Sequence, residues 1–342
     1  MRPPAVAVIV VNWNGLAFLD TCLESLDRQR YGDFEVVVVD NGSSDGSVEF
    51  LRQWEGPSRR VIFNRENTGF AAANNQGIRA TKGRFVATLN NDTRTDPGWI
   101  EGLVATAETD QRVGMVASKI LVMEDSRFID SVGHQIFLDG SSRGRGRLEE
   151  DAGQYERAEE VLFPSACAAL YSRHMLEDVG LFDERFFAYC EDADLGLRAR
   201  LRGWRCLYSP AGVVYHHYSG TTGAYTARKV FLVERNRFWL ACKILPWPLL
   251  LASPASTLLR YFFHMLGIAL GRGAGARFVE SSSSWRLVAA VVRAYGAGLG
   301  VAVSMLIRDR RDVWDRRAAG WTTIGEWFCR FRIPLTALTF RD

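Results

Sequence analysis

The sequence offers no paired cysteines. Its six, Cys22, Cys167, Cys190, Cys206, Cys242 and Cys329, are scattered without a CxxC among them. That excludes a zinc ribbon or a disulfide framework and fits a reducing compartment. Long apolar runs are also missing: no window reaches the roughly 18–20 uninterrupted apolar residues of a spanning helix. LVAAVVRAYGAGLGVAVSML, residues 287–306, comes nearest but contains Arg293. At the amino terminus a single Arg precedes the short run Ala5 to Val11. This is too short for a signal peptide with a cleavage site and reads as a buried first strand, so a cytoplasmic location is expected. No GxGxxG follows that run, where the chain reads Val11-Asn12-Trp13-Asn14-Gly15; a nucleotide site is compatible with this, a dinucleotide fingerprint is not.

Net charge is low as well, only +3 over 342 residues, but the balance is uneven. Of 42 Lys+Arg and 39 Asp+Glu, 18 and 7 lie from Arg228 to Asp342, leaving 24 and 32 in residues 1–227. An acidic body with a basic tail points the tail at an anionic membrane surface or a phosphorylated lipid. No nucleic-acid partner is expected.

With 47% hydrophobic residues there is ample material for a core. AVAVIVV, FEVVVVD (34–40), VIFN (61–64) and RFVATL (84–89) are apolar runs of the kind buried on both faces of a sheet. Helical spacing of Phe18, Leu19, Cys22, Leu23 and Leu26, and helices over 70–81 and from an Asp96 N-cap through Ala107, alternate with them. Such βαβ units imply a doubly wound α/β sheet with parallel strands. Residues 143–160, RGRGRLEEDAGQYERAEE, read as an exposed loop without fixed structure. A strand follows at 166–172, a helix at 173–180, a helix in which Asp194 precedes Arg198 by one turn, and a strand at 204–208.

In doubly wound sheets ligands bind beyond the carboxyl ends of the strands. Four strands here end in polar residues: Asn12 and Asn14, Asp40 and Asn41, Asn64 to Asn67, and Asn90-Asn91-Asp92. The last triplet can be a plain turn, or it can offer oxygens at i and i+2 to Mg²⁺ or Mn²⁺, which take few protein ligands and leave positions for phosphate. Glu191-Asp192 follows the aromatic residues Phe186, Phe187 and Tyr189. Partial burial there suits a general base, and a helix first turn is the plainer reading. His216 and His217 end another strand, where an imidazole can complete a metal shell or serve structure alone.

The order VVNWN, VVVDNGSSDGS, NTGFAAANNQG, LNND, YCEDADLGLR and VVYHH resembles family 2 glycosyltransferases, most closely the bacterial rhamnosyltransferase branch, over about residues 5–240. The resemblance implies a GT-A-type fold, a doubly wound mixed sheet, over residues 1–227. Its nucleotide-sugar half would be 1–110 and its acceptor and catalytic half 111–227. By its own composition 228–342 reads as a basic, apolar helical region lying in the membrane interface, with anchors at Arg308, Arg310, Arg311, Arg316 and Arg317, the plainer alternative being a helical subdomain packed on the body. Asn12, Asn14, Asp40, Asn67, Gly69, Asn74, Asn90 and Asn91 then fall on donor-binding positions. Asp92 and His216 fall on metal positions, Asp192 on that of the general base, and Glu191 lies beside it. Asn90 departs from the family's DxD, an uncharged oxygen donor standing where that motif has Asp. The implied chemistry is inverting transfer from dTDP-rhamnose, or else a UDP-sugar, to a polyprenyl-diphosphate-linked saccharide, at the inner face of the cell membrane. Two rivals remain. A nucleotidyltransferase would carry a Gly-rich basic loop after the first strand, and a non-catalytic membrane-bound nucleotide-sugar module would leave the NND and ED clusters without a role.

Overall fold

The computed structural model describes residues 3–217, 226–273, 277, 279, 284–334 and 337. These divide into two compact units. One comprises Met1–Gly133, Gly144–Arg200 and Trp204–Thr222; the other comprises His134–Arg143, Leu201–Gly203 and Gly223–Asp342.

The first unit is built on one mixed sheet. Strands β1 (Val6–Asn12), β2 (Phe34–Asp40), β3 (Arg59–Phe63) and β4 (Phe85–Asn90) run parallel in the order β4-β1-β2-β3. Their crossovers are helices α1 (Leu16–Asp27), α2 (Ser47–Trp54) and α3 (Phe70–Arg79). Beyond β4 come β5 (Thr93–Thr95), α4 (Trp99–Ala107), β6 (Val113–Val122) and β7 (Ile129–Ser131). Strands β8 (His134–Ile136) and β9 (Ser142–Gly144) form a separate pair that belongs mainly to the second unit; β10 (Glu159–Val161), β11 (Ala168–Ser172), α5 (Arg173–Val179), α6 (Glu191–Leu201) and β12 (Arg205–His216) follow.

β11 is antiparallel to both β4 and β6, so the sheet is mixed, in the order β10-β12-β6-β11-β4-β1-β2-β3. Its two faces are covered by separate apolar clusters. Ile9, Val37, Val39 and Ile78 belong to one; Val8, Val10, Leu19, Leu23 and Trp99 belong to the other. Alternate residues of each strand therefore feed opposite cores, and the strands read as unbroken apolar runs for that reason.

Three local expectations change. The α4 N-cap is Gly98, and Asp96, two residues earlier, accepts from the Gly98 amide at 2.9 Å, so Asp96 and Pro97 lie in the turn before the helix. β12 is twelve residues long instead of ending at 208; its register shifts between Ser209 and Val213, so Pro210 and Gly212 sit in an irregularity that the strand absorbs. Segment 143–160 is fixed because its charges are paired. Lys119 Nζ meets Asp151 at 2.6 Å and Glu156 at 2.7 Å, Arg147 pairs with Asp130, and the Tyr208 hydroxyl donates to the Tyr155 carbonyl at 3.0 Å.

The second unit is helical: α7 (Ala227–Ile244), α8 (Trp247–Ala269), α9 (Ser284–Ser304), a π-helical turn over Met305–Asp309, α10 (Arg310–Asp315) and α11 (Trp321–Arg330). Its interior holds an ionic cluster beside buried apolar side chains such as Trp239, Leu240 and Met305. Arg260 donates from Nε to Asp139 at 2.8 Å and from Nη2 to Glu234 at 2.9 Å; Arg237 donates to the same Glu234 oxygen at 3.2 Å, as does the Tyr261 hydroxyl at 2.8 Å. All four charged side chains are buried. Burial alone would raise the two carboxyls, but Arg260 and then Arg237 outweigh it and hold both Asp139 and Glu234 down at about 2.

Outside, apolar side chains face away from the unit. On α8, Leu251, Leu258, Phe262 and Met265 are exposed at near-helical spacing, and on α9 so are Trp285, Val288, Val292, Leu299 and Val303. The continuous run Trp285–Asp315 is 31 residues long, and only 28% of its most apolar stretch is buried. By length and composition it could cross a bilayer, although Arg293 interrupts it.

Candidate active site

Every candidate residue lies in the first unit, and most stand at the carboxyl edge of β1, β2 and β4. Asn12 ends β1 beside Asp40 of β2, and the two are in register. The Asn12 amide donates to Asp40 Oδ2 at 2.8 Å, and its carbonyl oxygen accepts from the Asn91 amide at 2.7 Å. Asp40 Oδ1 accepts from the Ser43 backbone at 3.0 Å. Asp40 and Asn12 are wholly buried, so both carboxylate oxygens of Asp40 serve to shape the turn after β2. Asn14, exposed and left-handed at φ 50°, accepts from the Ser44 amide at 2.8 Å and fastens the same turn from the other side.

Gly15 is where these strand ends crowd. A Cβ there would fall 1.9 Å from Asn91 Nδ2 and 2.7 Å from Asn12 Oδ1. Only a hydrogen fits, and sequence spacing gave no hint of it.

Asn67 accepts from the Gly69 amide at 2.9 Å and from Asn41 Nδ2 at 3.0 Å. Gly69 adopts φ +93°, and a Cβ on it would lie 2.6 Å from the Phe187 ring. The Ala71 amide then donates to the Phe187 carbonyl at 3.2 Å. The segment 67–71 is thus packed against the turn that leads to Glu191. Asn74 turns back to the Phe70 carbonyl at 3.0 Å within its own helix. Its neighbour Asn75 makes the cross-link, with its amide donating to the Phe182 carbonyl at 2.8 Å and its oxygen accepting from the Phe182 amide at 3.1 Å.

Asn90 and Asp92 form the centre. The Asn90 amide donates to the Cys167 carbonyl at 2.8 Å, and the Asp92 carbonyl accepts from His217 at 2.9 Å. Pairing of β5 with β12 brings His216 opposite Thr93, which sets its Nε2 3.4 Å from Asp92 Oδ1. Asp92 Oδ1 and Asn90 Oδ1 are buried with no hydrogen-bond partner, an expensive arrangement unless a ligand completes it. Two oxygens and one imidazole nitrogen are a donor set that a divalent cation fits. Among the described residues no three His, Cys, Asp or Glu side chains gather where they could hold a metal ion, so any cation here would have few protein ligands, Asn90 among them. An open site with few protein ligands suits Mg²⁺ or Mn²⁺. Burial works against charge on His216, but Cys167, Asp130 and Asp92 prevail and hold its pKa well above the ordinary value. A cation at Nε2 would displace that proton.

Glu191 and Asp192 open α6, reached through Phe187, Tyr189 and Cys190, all with positive φ. Asp192 is half-buried and its Oδ2 accepts from the Ala166 amide at 3.3 Å, one residue from the Cys167 carbonyl that holds Asn90. Glu191 is buried with Oε2 unpartnered, and burial first, then the Asp192 charge, push it up to about 8. Glu191, the inner member of the pair, is thereby held toward its neutral form, and Asp192 stands at the rim. Asp194 and Arg198 form the expected ion pair at 2.8 Å, in the interior.

The family signature described as Glycosyl transferase family 2 matches residues 7–180, half of the sequence. The chain belongs to glycosyl transferase family 2. Among curated relatives of this family 2 member is the N-acetylglucosaminyl-diphospho-decaprenol L-rhamnosyltransferase of Mycobacterium tuberculosis. It is 27% identical over 269 residues, 68% of this chain and 85% of that protein. The O-antigen biosynthesis protein of Myxococcus xanthus is 28% identical over 71% of this chain but only 19% of its own length. An uncharacterized protein of Sinorhizobium fredii is 33% identical over 64% of this chain, which spans 25% of that relative. The chain thus spans a quarter or less of the length of these last two relatives. The mannosyltransferase of Pyrobaculum calidifontis, solved with GDP-Man and Mn²⁺, superposes with TM-score 0.53 at 18% identity, covering 93% of this chain and 89% of that one. Staphylococcus aureus TarS 1-349, solved with UDP, gives 0.51 at 18% identity over 91% and 90%. These two likenesses carry the fold, a mixed α/β sheet of the GT-A type.

Proposed function

We propose that this chain is an inverting glycosyltransferase. It would move a sugar, L-rhamnose from dTDP-rhamnose in the first instance, onto a polyprenyl-diphosphate-linked saccharide during cell-surface polysaccharide synthesis. The observation that carries the reading is the pair of unpartnered buried oxygens, on Asn90 and Asp92, beside His216 Nε2 at the carboxyl edge of the sheet. Asp92 and His216 would hold a divalent cation with help from Asn90, and that cation supplies positive charge for the departing diphosphate. On the donor side, Asn14 offers an exposed amide. Asn12, Asp40 and Asn91 fix the turn that carries it, while Asn67, Gly69 and Asn74 shape the floor next to α3. Asp192, the rim carboxylate, takes the proton of the acceptor hydroxyl as that oxygen forms its bond to the anomeric carbon. The bond from that carbon to the diphosphate oxygen breaks on the opposite face. Glu191, beside Asp192, is held toward its neutral form by burial and by the neighbouring charge.

The rhamnosyl reading rests on the Mycobacterium tuberculosis relative and on the motif order; its printed acceptor, a decaprenol diphosphate sugar, suggests the lipid class. The exposed apolar faces of α8 and α9, together with the basic residues Arg308, Arg311, Arg316 and Arg317, favour a seat in an anionic membrane surface at the inner face of the cell membrane. The test is a screen of dTDP-, UDP- and GDP-sugars with Mn²⁺ and a polyprenyl-diphosphate saccharide, read by released nucleoside diphosphate and product mass. A rhamnosylated lipid supports the reading in full, a different transferred sugar corrects the donor, and no release from any donor overturns it.

A further inference from the structure

We propose that Asp130 is a positioning residue for His216: it engages Nδ1, turns Nε2 toward Asp92, and so sets how tightly the divalent cation is held. The inference rests on the metal reading of the Asn90, Asp92 and His216 cluster. Asp130 lies in β7, which pairs antiparallel with the end of β6, and His216 lies in β12 on the opposite edge of β6. The register of β6 with β7 is irregular at this point: Ile120 pairs with Ser131 and Leu121 with Ile129. Such an irregularity re-aims a side chain. Here it accompanies a carboxylate that reaches across the strand to His216 Nδ1 at 2.7 Å.

Both partners are buried, and the other Asp130 oxygen is held by Arg147 from the segment 143–160. The carboxylate is therefore anchored on both oxygens and offers His216 one orientation. With Nδ1 donating to Asp130, the nitrogen remaining to the ring is Nε2, and it faces the unpartnered Asp92 Oδ1 at 3.4 Å. A carboxylate behind a ligating imidazole fixes the ring and raises its basicity, and losing one commonly costs about ten- to a hundredfold in metal affinity. A purely structural Asp130, present only to neutralise Arg147, would have no effect that depends on His216.

That difference defines the test. Mn²⁺ is titrated into the full chain, alone and with dTDP or UDP, and free Mn²⁺ is counted by electron paramagnetic resonance. Asp130→Ala and the isosteric Asp130→Asn are expected to weaken binding about ten- to a hundredfold, with the Asn variant retaining more. In a His216→Ala background neither should weaken it further, beyond about twofold. Circular dichroism establishes that each variant is folded, and if the Ala variant is not, the Asn variant carries the comparison. Binding within about twofold of wild type in the folded Asp130 variant overturns the proposal, as does an equal loss with and without His216. Wild-type chain that takes up no Mn²⁺ under either condition overturns the metal reading and this proposal together. Intact wild-type binding with indifferent variants removes only the role of Asp130.

Discussion

The two units place charge differently. The sheet unit buries isolated pairs such as Asp194 with Arg198 but brings its candidate chemistry to a rim, where Asn14 is exposed and Asp192 half-buried. The helical unit buries Asp139, Glu234, Arg237 and Arg260 and turns Phe262, 63% exposed, and Val292, 66% exposed, outward. An enclosed ionic cluster is compatible with folding only if each charge is fully partnered, as these are. Contiguous apolar surface commonly marks a face that meets a partner or a membrane, and α8 and α9 each carry a stripe of it. In the first unit the Asn90 and Asp92 side-chain oxygens are buried without a hydrogen-bond partner, whereas the four charges buried in the second unit are all paired, and what that unit leaves uncovered is its apolar skin.

Substitutions can break that contrast in order of size. Asp192→Asn is expected to lower transfer by about a hundred- to ten-thousandfold while donor affinity stays near wild type. Turnover and calorimetry on the same preparation check this, and full turnover would remove Asp192 from its role. Arg260→Leu strips the cation that Asp139 and Glu234 share and should cost about 3–5 kcal/mol in denaturant unfolding. A loss below about 1 kcal/mol would mean that Arg237 suffices for both acids. Phe262→Asp with Val292→Asp leaves the ionic interior untouched and should reduce flotation with anionic vesicles about tenfold or more, since each lost apolar contact is worth about 1.5–3 kcal/mol. Flotation unchanged in low and high salt would argue against a lipid partner for those faces.

The last effect is a pH dependence. The fold raises Glu191 from 4.5 to about 8, so it favours the neutral acid. The stability tied to that preference is complete below the unfolded value and is lost as pH rises through about 8. Melts between those limits should therefore decline with pH in wild type by on the order of 1 kcal/mol per unit and run flatter in Glu191→Gln. Identical slopes would deny Glu191 its buried, neutral state.

Much of the first unit could be read from the chain because strands buried on both faces are continuous apolar runs, and the polar residues that end β1, β2 and β4 stand out against them. Strand direction is a different matter: nothing local in ALYS distinguishes antiparallel β11 from a parallel neighbour, and the mixed character of the sheet came from the family resemblance. Asp130 was missed because it is a single acid in a three-residue strand whose partner lies 86 positions away. Gly15 was missed because its constraint is the Asn91 side chain, remote in sequence. Segment 143–160 was misjudged because a dense run of charges looks solvated until its partners, Lys119 and Asp130, are brought beside it.

The asparagines at the rim have a directional consequence. Hydrogen bonds run from Asn91 to Asn12 and from Asn12 to Asp40, the Asn12 amide receiving on one side and giving on the other. A carboxylate can only receive, so it can end such a line but cannot continue it. Exchanging Asn12 for Asp would set two acceptors against each other while leaving size and shape almost unchanged. The line therefore has a grammar as well as a shape, and its acid can stand only at the β2 end.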